Sequence, residues 1–242
     1  MTNQWITDRP IAHRGLHFGT AVPENSLLAF QKSIDADIPI ECDIQFIKDE
    51  TFVVFHDDTL ERLTGVQGKI SDLTLSHLKN LYLYKTKEQI PTLEKLLTLV
   101  NGRVPILIEI KGRTFSSTKG NILKNILKDY SGEIALQSFN PMALTWCKKN
   151  IPHVPRGMIS YDWCNSGLKL YQKLLLRYMF FFFQVSPSFI SIRSDYLDSP
   201  IINIIREKTN IPTLGWAIKS AHEVMQYKKL MNNFIFENFV PK

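Results

Sequence analysis

Apolar, strand-like runs alternate with stretches of helical periodicity along this 242-residue chain, which predicts a parallel α/β fold. Eight turns of that alternation favour a closed TIM (β/α)8 barrel over an open sheet, and one barrel of about 250 residues accounts for the length. The whole chain, 1–242, is therefore expected to be a single barrel domain, with residues 57–90 as a small insertion over the barrel mouth. Hydrophobic residues make up 44% and charged residues 21%, an ordinary globular composition with enough apolar matter for one large core.

Taken in order, Pro10-Ile11-Ala12 is a short apolar run that reaches His13 and then Arg14-Gly15, as a strand end opening into a loop would. The loop passes Pro23 to Glu24-Asn25-Ser26, after which Leu27, Leu28, Phe30 and Ile34 recur at near-helical spacing through Asp37. Ile38-Pro39 leads into the strand Ile40-Glu41-Cys42-Asp43-Ile44. Side chains alternate faces on a strand, so Glu41 and Asp43 share one face and Ile40, Cys42 and Ile44 the other. Two carboxylates that close stay ionised only with a cation between them, or else one takes a proton; a bound metal is the simpler solution. The turn Lys48-Asp49-Glu50 and the β-rich run Phe52-Val53-Val54-Phe55 suggest a hairpin that returns His56 roughly opposite Asp43.

From Asp57 to Ile90 the pattern changes to polar turns with Gly65 and Gly68 and a short helix opening near Ser71–Leu78. This is the excursion above the mouth, where barrel enzymes accumulate extra chain. Pro91-Thr92 begins a helix with Leu93, Leu96, Leu97 and Val100 on one side, Thr92 as N-cap and Gly102 as stop. Pro105–Lys111 reads as a strand buried on both faces, with Glu109 and Lys111 on one face at its end. The rest follows the same beat: helix 118–130, strand 134–139, helix 141–150, strand 156–160, a long helical stretch 166–184, strand 189–193, helix 200–209, strand 212–218, helix 221–231 and strand 234–237. Within the long stretch, Met179–Phe183 is too short to cross a bilayer. It is expected to be the buried end of a barrel helix rather than a membrane-surface foot.

The ordered motifs His13-Arg14-Gly15, Pro23-Glu24-Asn25-Ser26, Glu41-x-Asp43, His56-Asp57 with Leu60, Arg62, Thr64 and Gly65, and Glu109-x-Lys111 resemble those of the glycerophosphodiester phosphodiesterases. The likeness covers roughly the first half of the chain. It implies a TIM barrel with one divalent cation at its mouth, hydrolysing glycerophosphodiesters to glycerol 3-phosphate and an alcohol. It also implies attack by the glycerol 2-hydroxyl, with one histidine removing its proton, the other protonating the leaving alcohol, and water later opening the cyclic phosphate. His13 and His56 are the expected acid–base pair, their individual roles open. Glu41, Asp43 and Glu109 are the expected metal ligands, an oxygen set suited to Mg²⁺ or Ca²⁺. Arg14 and Lys111 would neutralise the phosphate, and Glu24 and Asn25 would orient the groups that touch substrate and metal. Trp216 either lines the pocket or belongs to the barrel core. His17, His77, His153 and His222 are read as surface or packing residues. The resemblance departs at the end, where Asn232–Phe239 stands in place of the family's Thr-Asp-x-Pro turn, a difference that touches the substrate-side wall.

The formal charge of +6 has no compact Lys/Arg run with interleaved aromatics behind it, so scattered solvated lysines explain it and nucleic acid is not an expected partner. Cys42, Cys147 and Cys164 lie far apart with no Cys-x-x-Cys, against both a disulfide framework and a zinc site. Met1–Asp8 lacks the basic head and apolar run of a secretory signal, so a cytoplasmic protein with free thiols is expected. The expected partner is a small glycerophosphodiester, with no transmembrane segment, at most weak peripheral membrane contact, and the oligomeric state left open. Three alternatives stand beside the hydrolase: a related barrel enzyme acting on lysophospholipids at a membrane surface, a lipid-headgroup binding protein without turnover, and, last, a nucleic-acid phosphodiesterase. The intact histidines and carboxylates argue against the second.

Overall fold

A computed structural model describes residues 4–164 and 166–241; the opening Met1–Asn3 of the start read above lies outside them. In chain order the elements are α1 (Trp5–Asp8), β1 (Ile11–Ala12), α2 (Leu27–Asp35), β2 (Ile40–Phe46), β3 (Phe52–Val54), α3 (Glu61–Thr64), α4 (Leu75–Leu78), α5 (Leu93–Val100) and β4 (Ile106–Ile110). They continue as α6 (Ser117–Leu127), β5 (Ile134–Ser138), α7 (Pro141–Asn150), β6 (Arg156–Ser160), α8 (Leu170–Arg177), α9 (Phe182–Val185), β7 (Phe189–Arg193), α10 (Pro200–Thr209), β8 (Thr213–Ile218), α11 (Ala221–Tyr227) and β9 (Asn233–Phe236).

The strands pair in the order β1-β9-β8-β7-β6-β5-β4-β2, all parallel, and β1 pairs with β2 to close the ring. The result is the (β/α)8 barrel. Strand β3 stays outside it, antiparallel to β2. The outward residues Ile40, Cys42 and Ile44 of β2 and Ile106, Ile108 and Ile110 of β4 pack with Phe30, Leu93, Leu96, Val100 and Leu123 of the covering helices. Each such buried side chain contributes on the order of 1.5–3 kcal/mol. Inside, the lower layer is apolar: Ile11, Leu107, Ala135, Phe189, Leu214 and Ile235, plugged from below by Trp5 and Ile6 of α1. Phe189 fills the barrel across Gly157, where a Cβ would fall 2.1 Å from its ring. With the floor sealed, the polar inward residues of the next layer sit at the open, C-terminal end.

Local signals place the helices. The Ser26 and Thr92 hydroxyls accept the amides of Ala29 and Lys95, capping α2 and α5, and Asn101 ends α5 in the left-handed region just before Gly102. Residues 57–90 build a small core of their own from Leu60, Leu63, Ile70, Leu78, Leu83 and Ile90, seated on Val53 and Phe55 of the hairpin.

The stretch 166–184 is not one helix. It breaks at Met179, which adopts φ 49°, into α8 and α9. Phe182 is buried and Phe181 half-buried, whereas Phe180 is 70% and Phe183 85% exposed, which corrects the expectation of a buried helix end. Phe180 and Phe181 lie in the turn between α8 and α9, and the four-residue α9 turns Phe182 and Val185 inward and leaves Phe183 outside. No helix among the described residues is long and apolar enough to cross a membrane.

Candidate active site

Strands β2 and β4 run in parallel register with Asp43 beside Glu109. Glu41, Asp43 and Glu109 thus all project inward at the open end, each buried, with ligand oxygens within 4.8 Å of one another. Burial first, then repulsion from Asp43 and Glu109, holds Glu41 well above the ordinary carboxylate range. Burial likewise raises Glu109, against the pull of Lys111. At Asp43 burial is outweighed by Lys111 and Arg14, and the carboxyl is lowered. With all three ionised, three carboxylates against two cations would leave one negative charge in excess. Asp43 Oδ1 and Glu109 Oε1 are enclosed without a hydrogen-bond partner; Lys111 Nζ lies 3.4 and 3.0 Å from them, off hydrogen-bonding geometry. Convergent hard oxygens, unmet charge and orphaned lone pairs together fit a divalent cation.

The β1 end explains how Arg14 joins them. His13 N–H adds one more rung by donating to the Phe236 carbonyl at 2.9 Å, after which Arg14 (φ 55°) and Gly15 (φ 77°) turn left-handed. At Gly15 a Cβ would also meet the Ala29 carbonyl carbon and the Phe30 ring at 3.0 Å, so the turn demands glycine twice over. The turn aims the Arg14 amide at Glu41 Oε2, 2.9 Å away, and sets the guanidinium between Glu24 Oε1 at 2.5 Å and Asp43 Oδ2 at 3.4 Å. Asn25, buried and also at φ 55°, donates Nδ2–H to Asp43 Oδ2 at 2.9 Å and accepts the Asp43 amide. Backbone held in such sparsely populated conformations is characteristic of functional sites.

Each histidine rests on a carboxylate. His13 Nδ1 lies 2.7 Å from Glu237 Oε2, just past β9, and His56 Nδ1 lies 2.7 Å from Asp57 Oδ1. Because a carboxylate only accepts, Nδ1 carries the proton in both rings and Nε2 of the neutral imidazole is the free lone pair. Both rings are near enough to Asp43 to act on its carboxyl. Burial lowers His56 from its ordinary value, outweighing the opposing pull of Asp43. The hairpin register puts Phe55, whose amide donates to the Asp43 carbonyl, opposite Asp43, and His56 one residue beyond. Arg62 joins the two halves of the site. Its guanidinium binds Asp57 at 2.6 and 3.0 Å and Glu24 at 2.7 and 2.7 Å, so a chain of charges runs His56–Asp57–Arg62–Glu24–Arg14.

Beyond Glu109 and Lys111 the mouth widens into a cleft of about 1100 Å³. Its aromatic wall centres on Phe139, with Tyr161, Trp163 and Trp216 edge-on at 5.8, 5.5 and 5.8 Å. The Arg193 guanidinium lies 4.8 Å from the Tyr161 ring centre. Trp216 is therefore on the cleft rather than only in the barrel core.

Glu237, Phe139, Tyr161, Trp163 and Arg193 escaped the sequence reading. All stand within a few residues of a strand's C-terminal end, which in a barrel is itself a positional signal. His17, expected as a surface or packing residue, is half-buried near Glu24 and His13 with Nε2 enclosed and without a hydrogen-bond partner among the described residues. His77 caps α4 by accepting the Thr74 amide, while His153 and His222 are exposed.

Residues 13–174 match the glycerophosphoryl diester phosphodiesterase family. A glycerophosphodiester phosphodiesterase of Caldanaerobacter subterraneus is 34% identical over 161 residues, covering 62% of this chain and 65% of its own length, so the match spans just under two thirds of that relative. The Bacillus subtilis protein YhdW is 30% identical over 220 residues, covering 87% of this chain and 86% of itself. Among solved structures, a phosphodiesterase of Oleispira antarctica in complex with the product sn-glycerol-3-phosphate superposes with a TM-score of 0.80 at 22% identity, covering 97% of this chain and 94% of that one. That likeness shows the fold. With the match from His13 onward taking in the histidines, the acidic triad and Lys111, the chain belongs to the glycerophosphoryl diester phosphodiesterase family.

Proposed function

We propose that this protein hydrolyses glycerophosphodiesters to glycerol 3-phosphate and an alcohol, with His56 as general base and His13 as general acid. The observation that carries the reading is the pair of imidazoles, each held by a carboxylate at Nδ1, both close to Asp43 of a buried acidic triad. Relatives that bear the activity in their names, and a structural neighbour holding glycerol 3-phosphate as product, support it.

Burial keeps His56 neutral, the form that accepts a proton, and its free Nε2 would take the one released by the attacking glycerol 2-hydroxyl. A doubly protonated His13, its Nδ1–H donated to Glu237, would give its Nε2 proton to the leaving alcohol oxygen as the phosphorus–oxygen bond breaks, and water would then open the cyclic phosphate to glycerol 3-phosphate. Arg14 and Lys111 would offset the phosphate charge, Arg14 locked by Glu24 and Lys111 held firmly protonated by Asp43 and Glu109 in spite of its burial. Glu41, Asp43 and Glu109 would hold Mg²⁺ or Ca²⁺, bringing Lewis-acid stabilisation to charge building on the phosphoryl oxygens. The test is release of glycerol 3-phosphate over a panel of glycerophosphodiesters with and without chelator. Metal-dependent release from at least one substrate is expected; no release from any, or full turnover of chelator-treated protein, contradicts the reading.

A further inference from the structure

We infer that α8 is a docking surface for an anionic lipid bilayer, set at the rim of the catalytic cleft. Helix α8 buries none of its side chains, and its most exposed ones are apolar: Leu170 is 71%, Tyr171 58% and Leu174 44% exposed, followed by Tyr178 at 56%. At about 100° per residue these four fall within one arc of roughly 100°, a single stripe. The helix is amphipathic with its apolar side outward, the reverse of a helix that covers a barrel. Phe180, 70% exposed, extends the apolar surface past its end.

Two further observations choose the occupant. Lys169 and Lys173 flank one edge of the stripe with no acid in salt-bridge range among the described residues, whereas Arg177 is paired with Asp162 at 3.3 Å. A second copy docked through the same patch would bring Lys169 and Lys173 against their own like charges, with Asp162 already taken up by Arg177. Anionic headgroups supply the missing charge, and long basic side chains beside an apolar stripe are the arrangement of interfacial helices. The stripe is also continuous with the cleft: Tyr171, Leu175 and Leu176 of the same helix line it, and the Leu176 carbonyl accepts the Ser160 hydroxyl at 3.2 Å at the end of β6. A membrane lying on α8 would therefore meet the cleft at its mouth, not on the far side of the barrel.

This docking does not depend on the hydrolytic reading, and sedimentation of the full chain with vesicles reads it directly. Binding is expected to vesicles of phosphatidylglycerol and phosphatidylcholine in equal parts, to weaken with added salt, and to be far lower on phosphatidylcholine alone. Combining Leu170→Ser, Leu174→Ser and Phe180→Ser should lower the bound-to-free ratio by about tenfold or more. Turnover of a soluble glycerophosphodiester should stay unchanged. Met225→Ser on α11, where Met225 is 61% exposed, should leave vesicle binding as it was. As an independent readout, Leu174→Trp should add a fluorescence signal that brominated anionic lipid quenches. No binding to the anionic vesicles, equal binding by the triple variant, or a dimer that the triple variant abolishes without any vesicle binding would overturn the inference.

Discussion

Arg62 touches neither the triad nor a histidine, yet its replacement is expected to impair turnover more than its place at the surface suggests. Its four carboxylate contacts, 2.6 and 3.0 Å to Asp57 and 2.7 and 2.7 Å to Glu24, are the joint between the His56 and Arg14 halves of the site. Arg62→Ala leaves Asp57 with His56 alone and Glu24 with Arg14 alone. The side chain is 43% exposed, so water takes over much of the lost interaction. The stability cost should be about 1–2 kcal/mol, well below that of breaking a fully buried pair. Loss of an orienting partner typically costs 10–100-fold in activity, or about 1.4–2.7 kcal/mol of barrier. Arg62→Lys separates charge from geometry, because one ammonium cannot bind two carboxylates bidentately. It should regain most of the stability but little of the turnover. Steady-state glycerol 3-phosphate release beside urea unfolding measures both quantities. If Arg62→Ala keeps kcat/KM within about twofold of wild type while stability falls, the charge chain is only structural and the relay from His56 to Arg14 is wrong.

Three other outcomes follow from the site. The hydrogen bond from His13, assisted by Lys219 and opposed by burial, holds the Glu237 carboxyl at about 2, below its ordinary 4.5. Its stabilisation is then complete above pH 4.5 and drains away as pH falls toward 2, so Glu237→Gln should flatten that part of the acid-unfolding curve. A curve of unchanged shape would refute the pairing. Gly15→Ala, a left-handed position with contacts at 3.0 Å, should cost about 2–5 kcal/mol in urea unfolding, and Gly19→Ala, left-handed but with open space, about 1 kcal/mol; equal costs would show that packing at Gly15 is not the constraint. Asn25→Ala strips Asp43 of a donor and an acceptor and should weaken Mg²⁺ or Ca²⁺ affinity by about 10–100-fold in calorimetry, with unaltered affinity as the contrary result.

The eight barrel strands were legible because each is a short apolar run between turn residues, and the triad because Glu41 and Asp43 alternate with Ile and Cys on one strand. The hairpin was legible to within one residue, since the Lys48–Glu50 turn limits the register but does not say that Phe55 takes the place opposite Asp43. What stayed hidden depends on closure. Glu237 reaches His13 from 224 residues away only because β9 pairs with β1, and no local pattern encodes that neighbour. The Arg62 links to Asp57 and Glu24 required the path of the 57–90 excursion, although Arg62 was already among the motif residues. The break at Met179 escaped because four consecutive phenylalanines carry no periodicity from which an inside and an outside can be read.

The most direct test of the account measures His13→Ala and His56→Ala, singly and together, for turnover and metal affinity. Each single variant should lose about 10²–10⁴-fold in turnover, keep its metal affinity, and combine with the other far less than additively. A glycerophosphodiester with a strongly acidic leaving alcohol needs no proton from His13, so it should restore turnover to His13→Ala and not to His56→Ala. Rescue of the opposite variant would reverse the two assignments. Near-normal turnover in both, or loss of metal in both, would contradict acid–base catalysis by this pair altogether.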